Sequence, residues 1–119
     1  MKACYTKHMK VLNLSNWTEV YKTDLDASVM RVDRLSSNYG NPIVLADEKD
    51  RDLACDMFLE YAIWRMKRQP RWLDELKGKY LACWCAPKRC HADTLLILAN
   101  HPLNEALKLL NGVCHFTGN

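Results

Sequence analysis

One apolar stretch decides the fold of this chain: Tyr80-Leu81-Ala82-Cys83-Trp84-Cys85-Ala86. A glycine lies two residues before it and a proline directly after it, and both residue types are typical of the ends of a strand. A compact apolar run between such residues predicts a strand that is buried on both faces, as in a parallel sheet. Because side chains two apart in a strand point the same way, we expect Cys83 and Cys85 to share one face and Trp84 to point to the other.

Two further strands and a long helix are predicted around this stretch. Alternating apolar and polar residues indicate half-buried strands at residues 10–14 and 28–33. Apolar side chains three and four residues apart predict an amphipathic helix that begins at Asp47 or Asp50 and ends near Arg68. The core-facing stripe of that helix is expected to hold Leu53, Met57, Tyr61 and Trp64, widened by Ala54, Phe58 and Ala62.

The remaining segments complete an alternation of strands and helices. Residues 16–27 are predicted to be a connection with about one helical turn, residues 34–42 a loop, and residues 72–76 a short helix ended by Gly78. Helices are predicted at residues 93–100 and 103–111. We therefore expect a single α/β domain over residues 1–119, with a Rossmann-like sheet of three to four mostly parallel strands in two or three layers, flanked by helices.

Composition bounds the class of protein. The 119 residues are 49% hydrophobic, which is enough for one core and too short for two ordinary domains. The longest apolar run, residues 95–99, is far below the ~20 residues that cross a bilayer, and no secretion signal is recognised. We expect a soluble cytoplasmic protein without a membrane partner, whose six cysteines stay reduced. The small sheet also leaves edges along which a homodimer can form.

The basic residues concentrate in one region. Residues 61–90 contain eight lysines and arginines against two acidic residues, a net +6, whereas the whole chain carries +3. Such asymmetry suits an anionic ligand or a polyanion. Residues 65–72 mix four cations with Trp72, a composition that can follow a phosphate backbone and stack a base. The alternative is that the cations offset the negative end of a helix while Trp72 belongs to the core.

Cys83, Cys85, Cys90 and His91 are the strongest candidates for a functional site. Cys90 and His91 fall where the chain turns from the predicted strand into the next helix. We expect the four side chains to meet at the carboxyl edge of the sheet, where ligands bind in open α/β folds. Three thiolates and one imidazole satisfy tetrahedral zinc, although the spacing differs from paired Cys-x-x-Cys knuckles and adjacent ligands need a sharp bend.

Two other chemistries fit the same residues. Cys90 at a helix amino end, beside basic residues, is expected to have a lowered pKa and to act as a nucleophile with His91 as proton carrier. Alternatively, the helix start holds a phosphate group, with Arg34 binding the anion and Asn41 supplying hydrogen bonds. That pocket is predicted to be formed by Arg34, Ser36, Asn41, Cys83, Cys85, Cys90, His91 and Asp93. The plain alternative is that the thiols pack as small apolar groups while His91 caps the helix and Asp93, in its first turn, offsets the helix dipole.

Residues 81–96 also resemble a known family. They read Leu-Ala-Cys-Trp-Cys-Ala-Pro-Lys-Arg-Cys-His-Ala-Asp-Thr-Leu-Leu, which is similar to the signature of the domain of unknown function family four-three-two-six, a group of small phage and bacterial proteins. In that family Cys-Trp-Cys-Ala-Pro ends a strand and Cys-His-Gly-Asp opens a helix. Its upstream element, an arginine, a serine and an aromatic-Gly-Asn-Pro, is matched by residues 34–42.

The resemblance has two departures and leaves the mechanism open. Ala92 stands where the family usually has glycine, and the loop between Arg34 and Tyr39 is one residue longer. The resemblance implies a small α/β fold, a site at the two motifs and a bacterial host cytoplasm. We expect the ligand to be a phosphate-bearing, nucleotide-derived small molecule. The alternatives are a zinc-stabilised module that binds nucleic acid or a host protein through its basic face, and a cysteine-dependent nucleotide-processing enzyme.

Overall fold

The sheet has three parallel strands, as the sequence predicts. The computed structural model describes residues 10–34, 36, 38–43, 47–86 and 88–110. Strands β1 (Val11–Asn13) and β2 (Val29–Arg31) both pair in parallel with β3 (Tyr80–Cys83), so the order is β1-β3-β2. In register, Asn13 lies beside Cys83 and Arg31 beside Ala82. The carboxyl ends of all three strands therefore meet at one edge.

Four helices flank this sheet, which confirms the mixed α/β class. They are α1 (Trp17–Asp26), α2 (Arg51–Arg68), α3 (His91–Asn100) and α4 (Leu103–Lys108). Helix α1 contacts β1 and β2, whereas α3 contacts β3, β1, α2 and α4. Short 3-10 turns lie at Glu48–Asp50 and Asp74–Leu76. None of the helices in the described ranges is long and apolar enough to cross a membrane.

Helix α3 forms the centre of the core. Eight of its ten residues are buried, on all sides of the helix, as expected for a helix that is enclosed by other elements. It packs with Leu81 of β3 and with Phe58 of α2, which are both fully buried. Because α3 is fixed so firmly, its first residue, His91, is held at the carboxyl edge of the sheet.

Helix α1 corrects one prediction. Residues 16–27 were expected to be a connection, yet ten of them form a helix. The signal was its start, where the Asn16 side chain accepts a hydrogen bond from the Glu19 backbone N–H at 3.4 Å, an N-cap arrangement. The helix was missed because it buries no residue and exposes its apolar side chains, so it lacks a core-facing stripe.

Helix α2 has the predicted length but presents another face to the core. Its buried residues are Cys55, Phe58 and Ala62, so the predicted stripe is wrong in its centre. Leu53, Met57 and Trp64 are instead exposed. Two neighbouring faces of this helix are similarly apolar. The packing against α3 decides which of the two is buried.

Strand β3 ends earlier than predicted. The pairing stops at Cys83, so Cys85 lies in the turn that follows and Trp84 is 55% exposed. The expectation that Trp84 is buried on the opposite face is therefore wrong. The reason is that the two partner strands are only three residues long and offer nothing to pair with beyond this point.

Candidate functional site

Three cysteines and one histidine meet at the carboxyl edge of the sheet. We call Cys83, Cys85, Cys90 and His91 the sulfur–imidazole cluster. The sulfurs of Cys83 and Cys90 and a ring nitrogen of His91 lie within 4.8 Å of one another, and all three residues are buried. Cys85 is half-buried, lies outside this group of three and lines the same cavity from the turn after the strand. The structure thus brings Cys83, Cys90 and His91 together within 4.8 Å, with Cys85 beside them on the cavity wall.

The imidazole of His91 is held in one orientation. Its Nε2 lies 2.7 Å from the backbone oxygen of Val32, and because a carbonyl oxygen only accepts, Nε2 is the atom that donates. The ring also packs edge-on against Phe58 at 5.1 Å between centroids. Burial lowers the pKa of His91, which favours the neutral imidazole. In that tautomer Nδ1 carries a free lone pair.

Cys90 and Asp93 hydrogen-bond to each other at the start of α3. The Cys90 backbone N–H donates to Oδ2 of Asp93 at 3.0 Å, and the Asp93 backbone N–H donates to the backbone oxygen of Cys90 at 3.0 Å. Together these bonds close the capping box of the helix start. Asp93 therefore caps the helix, a role that the plain alternative gave to His91, and it does not line the neighbouring cavity.

The pKa values of the thiols diverge. Hydrogen bonds from Cys83 and then from Cys90, aided by the Arg51 guanidinium, lower the pKa of Cys85. Hydrogen bonds to Cys83 and Cys85, together with burial, raise the pKa of Cys90. The expected lowering at Cys90 is therefore not found, because its thiol donates within the cluster. If one of these cysteines is a nucleophile, the structure favours Cys85.

A cavity of about 430 Å³ opens beside the cluster. Its volume lies within the range of small-molecule sites. Of the residues predicted to bind a ligand, Arg34 and Asn41 line it and Ser36 does not. Ser36 instead receives the backbone N–H of Tyr39 on its hydroxyl at 3.1 Å and shapes the loop. The complete lining is Asp33, Arg34, Asn41, Asp47, Glu48, Asp50, Arg51, Ala54, Cys55, Cys83, Trp84, Cys85, Arg89, Cys90 and His91.

The arginines of the cavity already have partners. Arg34 donates to the backbone oxygens of Asn41 at 2.8 Å and Ile43 at 3.0 Å. Arg51 pairs with Glu48 and also donates to the backbone oxygen of Arg89 at 3.0 Å. The guanidinium of Arg89 in turn binds two carboxylates of α2, Asp52 and Asp56. A phosphate entering this cavity would therefore have to exchange with existing hydrogen bonds.

Asp33, Arg51, Cys55 and Trp84 are among the residues of this wall that sequence reasoning missed. One signal was available for Arg51, since a cation in the first turn of a helix opposes the helix dipole and calls for a local partner. The others carry no signal in sequence. Cys55 is a buried thiol on α2 whose pKa is raised to about 11 by burial, and only the packing of α2 brings it near the cluster.

Comparison with known proteins gives two matches. A family model described as "Domain of unknown function (DUF4326)" matches residues 12–101. The chain is also 31% identical over 98 residues to the "Uncharacterized 12.4 kDa protein in nrdA-td intergenic region" of Enterobacteria phage T4, an alignment that covers 80% of this chain and 86% of the phage protein. No solved structure matches the chain. The range matched by the family model contains the whole sulfur–imidazole cluster.

Proposed function

The chain belongs to the family of the Domain of unknown function (DUF4326), as its motifs indicated. We propose that it binds a zinc ion through Cys83, Cys90 and His91. Cys85 supplies the fourth ligand. The observation that carries this proposal is the approach of two sulfurs and an imidazole nitrogen to within 4.8 Å of one another in a buried position.

Distance supports this assignment. Tetrahedral zinc with sulfur ligands at ~2.3 Å sets its sulfurs about 3.8 Å apart. The observed upper limit of 4.8 Å is about 1 Å wider, a difference that small side-chain rotations close. We assign the fourth position to Cys85 because it lines the same cavity as Cys83 and Cys90 and its thiol interacts with both of theirs.

The chemistry of the ligands supports it as well. A metal-bound histidine usually donates its second ring N–H to a carbonyl or carboxylate, which fixes the ring. The bond from His91 to Val32 is of this kind. The lowered pKa of His91 keeps the imidazole in the neutral form that binds metal.

Metal analysis tests the proposal. Protein purified under reducing conditions, without added metal, should contain about one zinc per chain. Cys83→Ser and Cys90→Ser should each lose it. Cys55→Ser is the matched control, because Cys55 is a buried thiol on α2 that contributes no ligand, and it should keep the metal.

Cobalt substitution then counts the ligands. Wild-type protein loaded with Co²⁺ should give the intense visible bands of a tetrahedral site with sulfur-to-metal charge transfer. Cys85→Ser should weaken the charge-transfer band without abolishing binding, since the buried trio Cys83, Cys90 and His91 remains. Wild-type protein that neither contains zinc nor takes up Co²⁺ would overturn the proposal.

A second candidate function rests on the cavity beside the cluster. It is a site for a phosphate-bearing, nucleotide-derived small molecule, and one observation favours it. Trp84 lines the cavity and is 55% exposed, and its indole N–H is fixed on Asp33 at 2.8 Å. An exposed, oriented indole is a surface on which a base can stack. Arg34, also on the wall, is the cation that could turn from the loop to the phosphate.

Ligand screening separates this candidate from the metal site. Nucleoside triphosphates, the matching nucleosides and inorganic phosphate should be compared by thermal shift, on metal-free and on zinc-loaded protein. Stabilisation by nucleotides that is lost in Trp84→Ala and Arg34→Ala, in both forms of the protein, supports the cavity site. Lys22→Ala is the control, because Lys22 is an exposed cation of α1 outside the cavity lining.

A further inference from the structure

An exposed tryptophan lies among cations at the end of α2. Trp64 is 53% exposed. Its ring stacks on Tyr61 at 6.3 Å between centroids and carries the Arg68 guanidinium at 4.6 Å from its own centroid. We call Trp64, Arg65, Lys67 and Arg68 the α2-end patch. An indole that stays half exposed beside Tyr61 and Arg68 has not been placed by core packing.

The charge of this patch is not neutralised. Within the described ranges, no carboxylate lies within ion-pair distance of Arg65, Lys67 or Arg68. Arg65 is held by neutral groups only, the side chains of Gln69 at 2.7 Å, Tyr61 at 3.0 Å and Asn38 at 2.7 Å. Three full charges exceed the half charge at the carboxyl end of a helix, so a positive surface remains.

The other tryptophan of this region does not face solvent. Trp72 is only 7% exposed, donates its indole N–H to the Asn38 backbone oxygen at 3.1 Å and is covered by the Arg65 guanidinium at 4.4 Å from the ring centroid. The base-stacking role that the sequence suggested for Trp72 is therefore wrong. Trp64 lies six residues before Pro70 and is half exposed, so it is the ring that a partner can reach.

We propose that the α2-end patch binds single-stranded nucleic acid, with an unpaired base stacking on Trp64 and Arg68 and with Lys67 and Arg68 contacting phosphate. This inference is independent of the metal site and of the cavity. It rests on the exposed indole, on the guanidinium stacked against it and on the uncompensated cations around it. Aromatic rings with adjacent cations are the common elements of sites for single strands.

The aromatic ring selects a single strand over the other polyanions. Duplex nucleic acid hides the faces of its bases, so it can use the cations but not the indole. An acidic protein segment likewise matches the positive charge of the patch, but its carboxylates provide no flat ring to stack on Trp64. The exposed carboxylate of Glu60, one turn before Trp64, bounds the patch on one side.

The experiment compares matched tryptophans and matched cations. Binding of a short, labelled single-stranded oligonucleotide is measured by anisotropy at several salt concentrations, on the full chain. Trp64→Ala should weaken binding by roughly fivefold or more. Trp17→Ala is its control, because Trp17 is 70% exposed on α1.

The double variant Lys67→Ala/Arg68→Ala should flatten the slope of log K against log salt by about 1.4, at ~0.7 per phosphate contact on a single strand. Lys22→Ala, an exposed cation of α1, should leave that slope unchanged.

Each outcome decides the matter. Loss of affinity in Trp64→Ala, together with normal binding by Trp17→Ala, supports the proposal. Equal loss in both tryptophan variants overturns it, as does wild-type affinity in Trp64→Ala. A duplex of the same length that binds more tightly and without dependence on Trp64 overturns it too. Competition by polyglutamate as effective as competition by unlabelled oligonucleotide would identify a surface for acidic protein instead.

Discussion

The indole N–H of Trp84 donates to Oδ2 of Asp33 over 2.8 Å, and this bond joins the turn after β3 to the segment after β2. Asp33 is 2% exposed and also receives two hydrogen bonds from the Arg31 guanidinium, at 2.7 and 2.8 Å. One carboxylate thus ties together two strand ends at the rim of the cavity. Its charge is therefore expected to contribute to stability.

The stability of the protein should depend on the charge of Asp33. Hydrogen bonds from Arg31, and then from Trp84, lower the pKa of Asp33 below its ordinary 3.8. The unfolded chain therefore binds this proton more tightly than the folded protein does. The contribution is complete above pH 3.8 and is lost as the pH falls through the lower pKa of the folded state.

Asp33→Asn tests this linkage. We expect it to lower the free energy of unfolding by ~1–2 kcal/mol at neutral pH and equally at about pH 5. The difference from wild type should shrink below about pH 4, as first the unfolded chain and then, at lower pH, the folded wild-type protein takes up a proton on Asp33. Urea unfolding at each pH measures it. Asp26→Asn, an exposed carboxylate at the end of α1, should show no comparable loss, and a pH-independent effect of Asp33→Asn would contradict the argument.

The face of α2 that meets the core gives a second prediction. Phe58 is fully buried, whereas Leu53 on the same helix is 52% exposed. Phe58→Ala should therefore lower the free energy of unfolding by ~3–5 kcal/mol, and Leu53→Ala by less than about 0.5 kcal/mol. Denaturant unfolding of the two variants measures the contrast. Similar losses in the two variants would mean that Leu53 also faces the core, as the sequence predicts.

The difference between these two residues shows where sequence reasoning stops. The extent of α2 follows from local signals, since apolar spacing and Pro70 mark it in the sequence alone. Its orientation does not, because Leu53 and Phe58 are both apolar and the choice between them depends on the helix α3 that packs there. Parallel strands were predictable in the same local way, from alternation at β1 and β2 and from a continuous apolar run at β3.

The candidate site divides in the same manner. The proximity of Cys83, Cys90 and His91 was predictable, because a strand followed by a helix brings these positions to the carboxyl edge of the sheet. The state of each thiol was not, since the pKa of Cys85 is lowered by groups from β3, α3 and α2 together. The same holds for Trp84, whose exposure depends on where β3 ends.

Gly40 gives a prediction about the loop that carries Arg34 and Asn41. A Cβ on Gly40 would lie 2.7 Å from the backbone oxygen of Ser36 and 2.9 Å from that of Asp33. Both neighbours are backbone atoms, so the loop must shift to admit a methyl group. Gly40→Ala should therefore lower the free energy of unfolding by ~1–3 kcal/mol.

A spectroscopic readout distinguishes this loop shift from a general loss of stability. Because the clash displaces Asp33, the indole N–H resonance of Trp84 should move in the NMR spectrum of Gly40→Ala. Gly78→Ala is the comparison, since Gly78 has a φ of 72° with open space around it and its cost of ~1–2 kcal/mol is backbone strain alone. The Trp84 resonance should stay in place there. An unmoved resonance in Gly40→Ala would count against the close contact.

The capping box of α3 separates the roles of Asp93 and Cys90. Asp93→Ala removes the acceptor of the Cys90 backbone N–H, so the metal-free protein should lose ~0.5–2 kcal/mol of stability. The sulfur and imidazole ligands of the cluster remain in this variant, and added zinc should still raise the Tm.

Cys90→Ser should behave in the opposite way. Serine is a good N-cap, so the metal-free stability should change little, whereas the rise in Tm with zinc should disappear because one ligand is gone. Thermal unfolding with and without zinc, in the presence of a reductant, gives both quantities. Loss of the zinc effect in Asp93→Ala would make that carboxylate part of the site, and its persistence in Cys90→Ser would remove Cys90 from the ligand set.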